Sequence, residues 1–127
     1  MKAIALDTNV IIAILNKETY WIDQLKIFEE VYVPSIVAGE VLFGAKNSGK
    51  AVENLKNART FLNRCHPIEV GYNVAETYAE LRLFLKKLGR PIPENDLWIA
   101  ATCKTKNLKL LTRDKHFTHF KDLTYNL

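Results

Sequence analysis

The sequence predicts an α/β domain in which helices flank a parallel sheet. Short strand-like runs at Ala3 to Leu6, Val31 to Val33, Pro67 to Val70 and Lys109 to Thr112 alternate with stretches of helical periodicity. The first run is continuously apolar, as a strand buried on both faces requires, whereas a half-exposed strand would alternate. With 127 residues, 48% hydrophobic and 25% charged, the chain is expected to form one globular domain over 1–127.

In chain order, Ala3 to Leu6 breaks off in Asp7-Thr8-Asn9, which open a helix from Val10 to Leu15. Thr19 to Glu30 carries Trp21, Ile22, Leu25, Ile27 and Phe28 in a helical stripe. Val31 to Val33 is a short strand, and Pro34-Ser35 a strand-to-helix turn with Ser35 expected as N-cap. A helix follows from Ile36 to Ala45 and is broken by Lys46-Asn47-Ser48-Gly49. Another runs from Lys50 to Arg64, with Val52, Leu55, Ala58, Phe61 and Leu62 at helical spacing. Pro67 to Val70 reads as a strand, and Asn73 to Leu88 as a long helix with Val74, Tyr78, Leu81 and Leu85 on one face. Gly89-Arg90-Pro91-Ile92-Pro93 stops that helix in a stiff loop. Glu94 to Lys106 is helical and Lys109 to Thr112 a strand. The tail, His116 to Leu127, is expected to hold a helical turn and a short last strand.

Several function classes fall away on composition. No apolar run approaches the ~20 residues of a membrane-spanning helix. The N-terminus has no signal-peptide pattern, so the cytoplasm is the expected address. Cys65 and Cys103 form no CxxC pair and no ligand spacing with histidine; they read as small core or near-core thiols. Gly44 to Lys50 has phosphate-loop spacing, but Ala51 stands where the hydroxyl should be and the segment leaves a helix, not a strand. The net charge of +4 permits an anionic partner without demanding one.

Four acids point to chemistry. Asp7 and Asp114 follow strands, Asp96 lies in the first turn of a helix, and Glu40 sits on the apolar face of the helix after the second strand. Each has an ordinary reading: Asp7 as N-cap, Asp96 as partner of the helix dipole, Asp114 as turn residue, Glu40 as an edge residue paired with lysine. Gly39 beside Glu40 suggests a close backbone approach. In a parallel sheet, however, all four reach the same carboxyl edge, where open α/β folds bind ligands. Carboxylates gathered there repel, so some hold protons or the group holds a cation. A hard divalent ion such as Mg²⁺ suits oxygen ligands, and without a His or Cys set zinc does not fit. Such a site hydrolyses phosphodiesters, because bound metal activates water and neutralises phosphoryl oxygens. Asp7 and Asp96 are the first expected ligands, with Glu40 and Asp114 as ligands or water-orienting groups.

At these residues the chain resembles the PIN-domain ribonucleases, and among them the VapC toxins of toxin–antitoxin pairs. The resemblance rests on Leu6-Asp7-Thr8-Asn9, Pro34 to Glu40, Asn95-Asp96-Leu97-Trp98-Ile99-Ala100-Ala101 and Leu111-Thr112-Arg113-Asp114, in that order and spacing. It implies a three-layer α/β/α sandwich with a mostly parallel central sheet of four to five short strands. It further implies a Mg²⁺- or Mn²⁺-dependent RNA endonuclease with Asp7, Glu40, Asp96 and Asp114 as the acidic set, supported by Thr8, Asn9 and Thr112. A homodimer and a cognate antitoxin covering the acidic groove are expected with it. The chain departs from the pattern at His116, where many relatives carry a further acid.

Among the basic residues, Lys46, Lys50 and Arg90 stand in or beside connections and are the candidates for holding an RNA backbone. Tyr20-Trp21 and Phe43 are either core residues or part of a partner interface. Competing readings are a catalytically inactive scaffold that binds RNA or protein, and a structure-specific DNA or RNA nuclease. A scaffold would have no need of four mutually repelling carboxylates.

Overall fold

The structure is a computed structural model that describes residues 2–125. Its elements are β1 (Ala3–Leu6), α1 (Thr8–Leu15), α2 (Thr19–Leu25), β2 (Glu30–Pro34), α3 (Ser35–Lys46), α4 (Ala51–Asn63), β3 (His66–Ile68), α5 (Tyr72–Leu88), α6 (Glu94–Thr105) and β4 (Leu110–Leu111), followed by a 3₁₀ turn over Lys115–His119. The four strands form one sheet in the order β3-β2-β1-β4, every pair parallel. All carboxyl ends therefore lie along one edge, and the chain reverses its direction of winding between β1 and β4. That switch point is where an open parallel sheet leaves a crevice.

The continuous apolar character of β1 has its expected cause: Ile4, Ala5 and Leu6, which point alternately to the two faces, are all 0% exposed. Val10, Ile11, Val37, Ile99, Ala100 and Cys103 complete the core from the surrounding helices. Cys65 is half-buried and both cysteines are free thiols, whose pKa values burial pushes up to about 11 for Cys65 and about 12 for Cys103. Neither is a reactive thiolate. The segment Gly44 to Lys50 is a helix–turn–helix connection, with the Ser48 hydroxyl donating to the Ala45 carbonyl and Asn54 Nδ2 donating to Ser48.

Several expected boundaries shift. The second helix ends at Leu25, not Glu30, because the Lys2 carbonyl accepts from the amides of Glu29 and Glu30 and draws that segment into the sheet. Ser35 does not cap α3. Pro34 takes the N-cap position, and the Ser35 hydroxyl donates to the Ile68 carbonyl at 3.1 Å. That bond ends β3 at Ile68, short of the expected Val70, where Pro34 offers no further N–H to the ladder. In the tail, the expected strand is a single bridge: Leu110 donates to the Leu123 carbonyl and accepts from Tyr125, covering the free edge of β4. Residues 126–127 lie outside the described part.

Three helices end in left-handed residues. Gly89 (φ 66°) closes α5, while Lys17 (φ 63°) and Asn107 (φ 53°) follow α1 and α6. Each turn returns its amides to the last helical carbonyls, as when Gly89 donates to Lys86 and Arg90 to Leu85.

Candidate active site

The carboxyl edge brings the four acids into one hydrogen-bonded network. Asp7 leaves β1 in the N-cap position of α1, with Oδ1 accepting from the Thr8 amide at 2.8 Å. Its other oxygen accepts from the Thr112 hydroxyl at 2.6 Å, across the switch point. Capping accounts for only half of this side chain, since the second oxygen serves a distant strand. Thr8 donates its hydroxyl to Glu40 Oε1 at 2.7 Å, and Asn95 Nδ2 donates to Oε2 at 2.7 Å. Glu40 thus ties α1, α3 and α6 together from a half-buried position.

The far wall comes from the segment after β4. Asp114 does not stand directly after the strand, which ends at Leu111; Thr112 does, and Asp114 caps the following 3₁₀ turn. Its amide donates to Thr112 Oγ1 at 2.9 Å, and its Oδ1 accepts from the His116 amide at 2.9 Å. This tight turn holds the His116 ring in the groove. Nδ1 of His116 lies 2.8 Å from Asp96 Oδ2 and 3.0 Å from Asp114 Oδ1. Asn9 braces the same wall by accepting from the Arg113 amide at 3.3 Å.

Burial and crowding set the electrostatics. Asp7 is 4% exposed, and desolvation raises its carboxyl to a pKa of about 6. The Thr112 and Thr8 hydrogen bonds pull the other way, while the charges of Asp96 and Asp114 push it further up. Burial likewise raises Asp96, opposed by the bond from His116 and reinforced by the charges of Asp114 and Glu40. His116 is raised above the usual histidine range, chiefly by its bond to Asp96. The mutual repulsion inferred from the sequence is thus one of the influences that raise Asp7 and Asp96, with burial the larger one.

The donor set suits a divalent cation. Ligand atoms of Asp96, Asp114 and His116 all lie within 4.8 Å of one another. Ligands at about 2.1 Å from one octahedral ion stand about 3 Å apart when adjacent and about 4 Å when opposite, so this spacing needs little adjustment. Asp7 and Glu40 flank this tightest grouping. The expected catalytic and supporting residues (Asp7, Glu40, Asp96, Asp114, Thr8, Asn9 and Thr112) thus lie together at the carboxyl edge, tied by hydrogen bonds.

Two members stand outside the expected site residues, although the sequence already marks His116 as a departure from the family pattern. Asn95 reads as a helix-entry residue, and its bond to Glu40 spans separate helices. His116 had a local signal: an acid two residues before it can fold an Asx turn that aligns both side chains. The close approach expected at Gly39 is absent, for a Cβ there would meet no atom within 4 Å. Lys46, Lys50 and Arg90 are exposed, and none hydrogen-bonds to the acidic network. Trp21 is buried in the core, whereas Tyr20 and Phe43 are exposed. No helix among the described residues is long and apolar enough to cross a membrane.

The chain has relatives among known proteins. The PIN domain family model matches residues 4–123. The chain is similar to Ribonuclease VapC2 of Rickettsia felis, 31% identical with 93% of this chain and 92% of the relative covered. It is also similar to Toxin FitB of Neisseria gonorrhoeae, 34% identical with 87% of both covered. Among solved structures it superimposes on a chain of VapBC2 from Rickettsia felis, crystallised with a DNA fragment from its promoter, at a TM-score of 0.89 and 28% identity over 98% of this chain and 97% of that one.

Proposed function

Since the chain belongs to the PIN domain family, we propose that it is a metal-dependent RNA endonuclease, the toxin of a VapC-type toxin–antitoxin pair. One observation carries the reading. Asp7, Glu40, Asp96 and Asp114, far apart in sequence, meet at one sheet edge, where neighbouring polar side chains hydrogen-bond to them and orient them. Relatives named as ribonucleases and as toxins, one of them solved with its partner, support the same assignment.

Each residue then has a task. Asp96 and Asp114 would hold the ion, and Asp7 stands beside them where its pKa of about 6 leaves it mostly ionised at neutral pH. A bound Mg²⁺ or Mn²⁺ supplies a nucleophilic water at neutral pH and neutralises charge on the phosphoryl group. Glu40, fixed by Thr8 and Asn95, orients water at the groove mouth. Thr112 keeps Asp7 and the Asp114 turn in register across the switch point. Lys46, Lys50 and Arg90 hold the RNA backbone by charge, a sequence-independent and salt-sensitive contribution. The protein acts as a homodimer, and an antitoxin closes the groove.

Incubating the purified chain with single-stranded RNA and single-stranded DNA, in Mg²⁺ and in EDTA, tests the assignment. The expected result is cleavage of RNA that EDTA stops and that Asp7→Asn and Asp96→Asn abolish. Cleavage persisting in EDTA or in both variants would overturn it. DNA cut in preference to RNA would favour a DNA nuclease, and no cutting of either would favour a scaffold.

A further inference from the structure

We propose that His116 is a metal ligand, and that its imidazole shifts the groove's preference from Mg²⁺ toward Mn²⁺. This deepens the metal-dependent reading above and rests on it.

The first argument is placement. Nδ1 is the ring atom that faces Asp96 Oδ2 at 2.8 Å and Asp114 Oδ1 at 3.0 Å, so two carboxylate oxygens meet one ring nitrogen and all three ligand atoms lie within 4.8 Å of one another. The two carboxylates come from different elements, α6 and the segment after β4, and a surface ion pair would engage one of them. The second argument is support. The His116 amide is tied to Asp114 Oδ1, the Asp114 amide to Thr112 Oγ1, and Thr112 to Asp7. The imidazole is consequently positioned by the same residues that position the acids, as supporting contacts position a ligand. The third argument is access: the Asp96 side chain is 9% exposed and that of His116 51%, so the ring forms the outer side of the cluster.

The chemistry follows from ligand type. Mg²⁺ takes oxygen ligands almost exclusively and dehydrates reluctantly, whereas imidazole suits transition metals. Replacing an oxygen by a nitrogen in an otherwise carboxylate groove therefore costs Mg²⁺ affinity relative to Mn²⁺. The other two histidines offer no competing site. His66, on β3, packs its ring against Tyr32 of β2, and His119 lines a separate cavity of about 680 Å³ with Phe84 and Phe120.

Pulsed electron paramagnetic resonance of the Mn²⁺-loaded full chain tests the assignment without any activity measurement. The expected signal is spin-echo modulation from a directly bound histidine nitrogen, changed in frequency by labelling histidine with the heavy nitrogen isotope. His116→Asp should still bind Mn²⁺ but lose the modulation, while His66→Gln and His119→Gln keep it. By calorimetry, the ratio of Mn²⁺ to Mg²⁺ affinity should fall on the order of tenfold in His116→Asp. Bound Mn²⁺ without nitrogen modulation in the unsubstituted protein, or an unchanged ratio in the variant, would overturn the role of His116 and leave the metal groove standing. Failure to bind either ion would overturn the metal groove itself.

Discussion

Replacing Asp7 by asparagine should make the metal-free protein more stable at neutral pH while abolishing cleavage. In the unfolded chain the Asp7 carboxyl titrates at 3.8, and in the fold desolvation and its acidic neighbours lift it to about 6. At about 1.4 kcal/mol per pH unit, the ionised side chain is disfavoured in the native state by about 3 kcal/mol. Asparagine removes that penalty but offers one acceptor oxygen where Thr8 N and Thr112 Oγ1 now use two. The lost charge-assisted bond costs about 1–2 kcal/mol. The net gain is about 1–2 kcal/mol, which raises the melting temperature by about 3–8 °C.

The sign reverses with pH. A raised carboxyl binds its proton more tightly in the fold than in the unfolded chain. The unsubstituted protein therefore gains stability as pH falls from about 7 through 6 toward 4, and gains nothing more once both states are protonated. Denaturant melts in EDTA at about pH 7.5 and about pH 4.5 should show the variant ahead at the first and level or behind at the second. Adding Mg²⁺ at neutral pH should stabilise the unsubstituted protein more than the variant, because an ion relieves the Asp7 charge that the variant lacks. A variant less stable at neutral pH, or a difference independent of pH, would refute the claim that Asp7 is held against its electrostatic preference.

Thr112→Val keeps the shape but removes the donor to Asp7 and the acceptor for the Asp114 amide; a loss of about 2–3 kcal/mol at neutral pH is expected in urea melts. A loss under about 0.5 kcal/mol would mean that water replaces both bonds. Gly89→Ala places a Cβ at φ 66° and should cost about 1 kcal/mol, read as a lower thermal midpoint. Lys17→Gly, at φ 63°, should gain up to about 1 kcal/mol; if it destabilises, the Lys17 side chain makes a contact that outweighs backbone strain.

Much of the fold was legible because local pattern and tertiary role agree. Ala3 to Leu6 is uniformly apolar since helices cover both faces of β1, and Pro34 marks a strand end because it cannot donate to a ladder. The ends of α2 and β3 were not legible, because each is decided by a backbone group from elsewhere: the Lys2 carbonyl in one case and the Ser35 hydroxyl in the other. The site divides the same way. Asp7, Glu40, Asp96 and Asp114 could be grouped because parallel topology sends them to one edge. That Asn95 serves Glu40, and that one ring nitrogen of His116 faces two carboxylates, depends on the relative placement of α6, α3 and the turn after β4. No periodicity encodes that placement. Gly39 misled for the complementary reason: a glycine in a helix suggests a neighbour, and here the space above it is open.

The covered edge of β4 also guards the acidic site. The strand has only two residues, and it is held between β1 and the backbone of Leu123 to Tyr125. Thr112, Asp114 and His116 hang directly from it. Opening of that short strand alone would therefore dismantle one wall of the acidic site while the rest of the core stays packed.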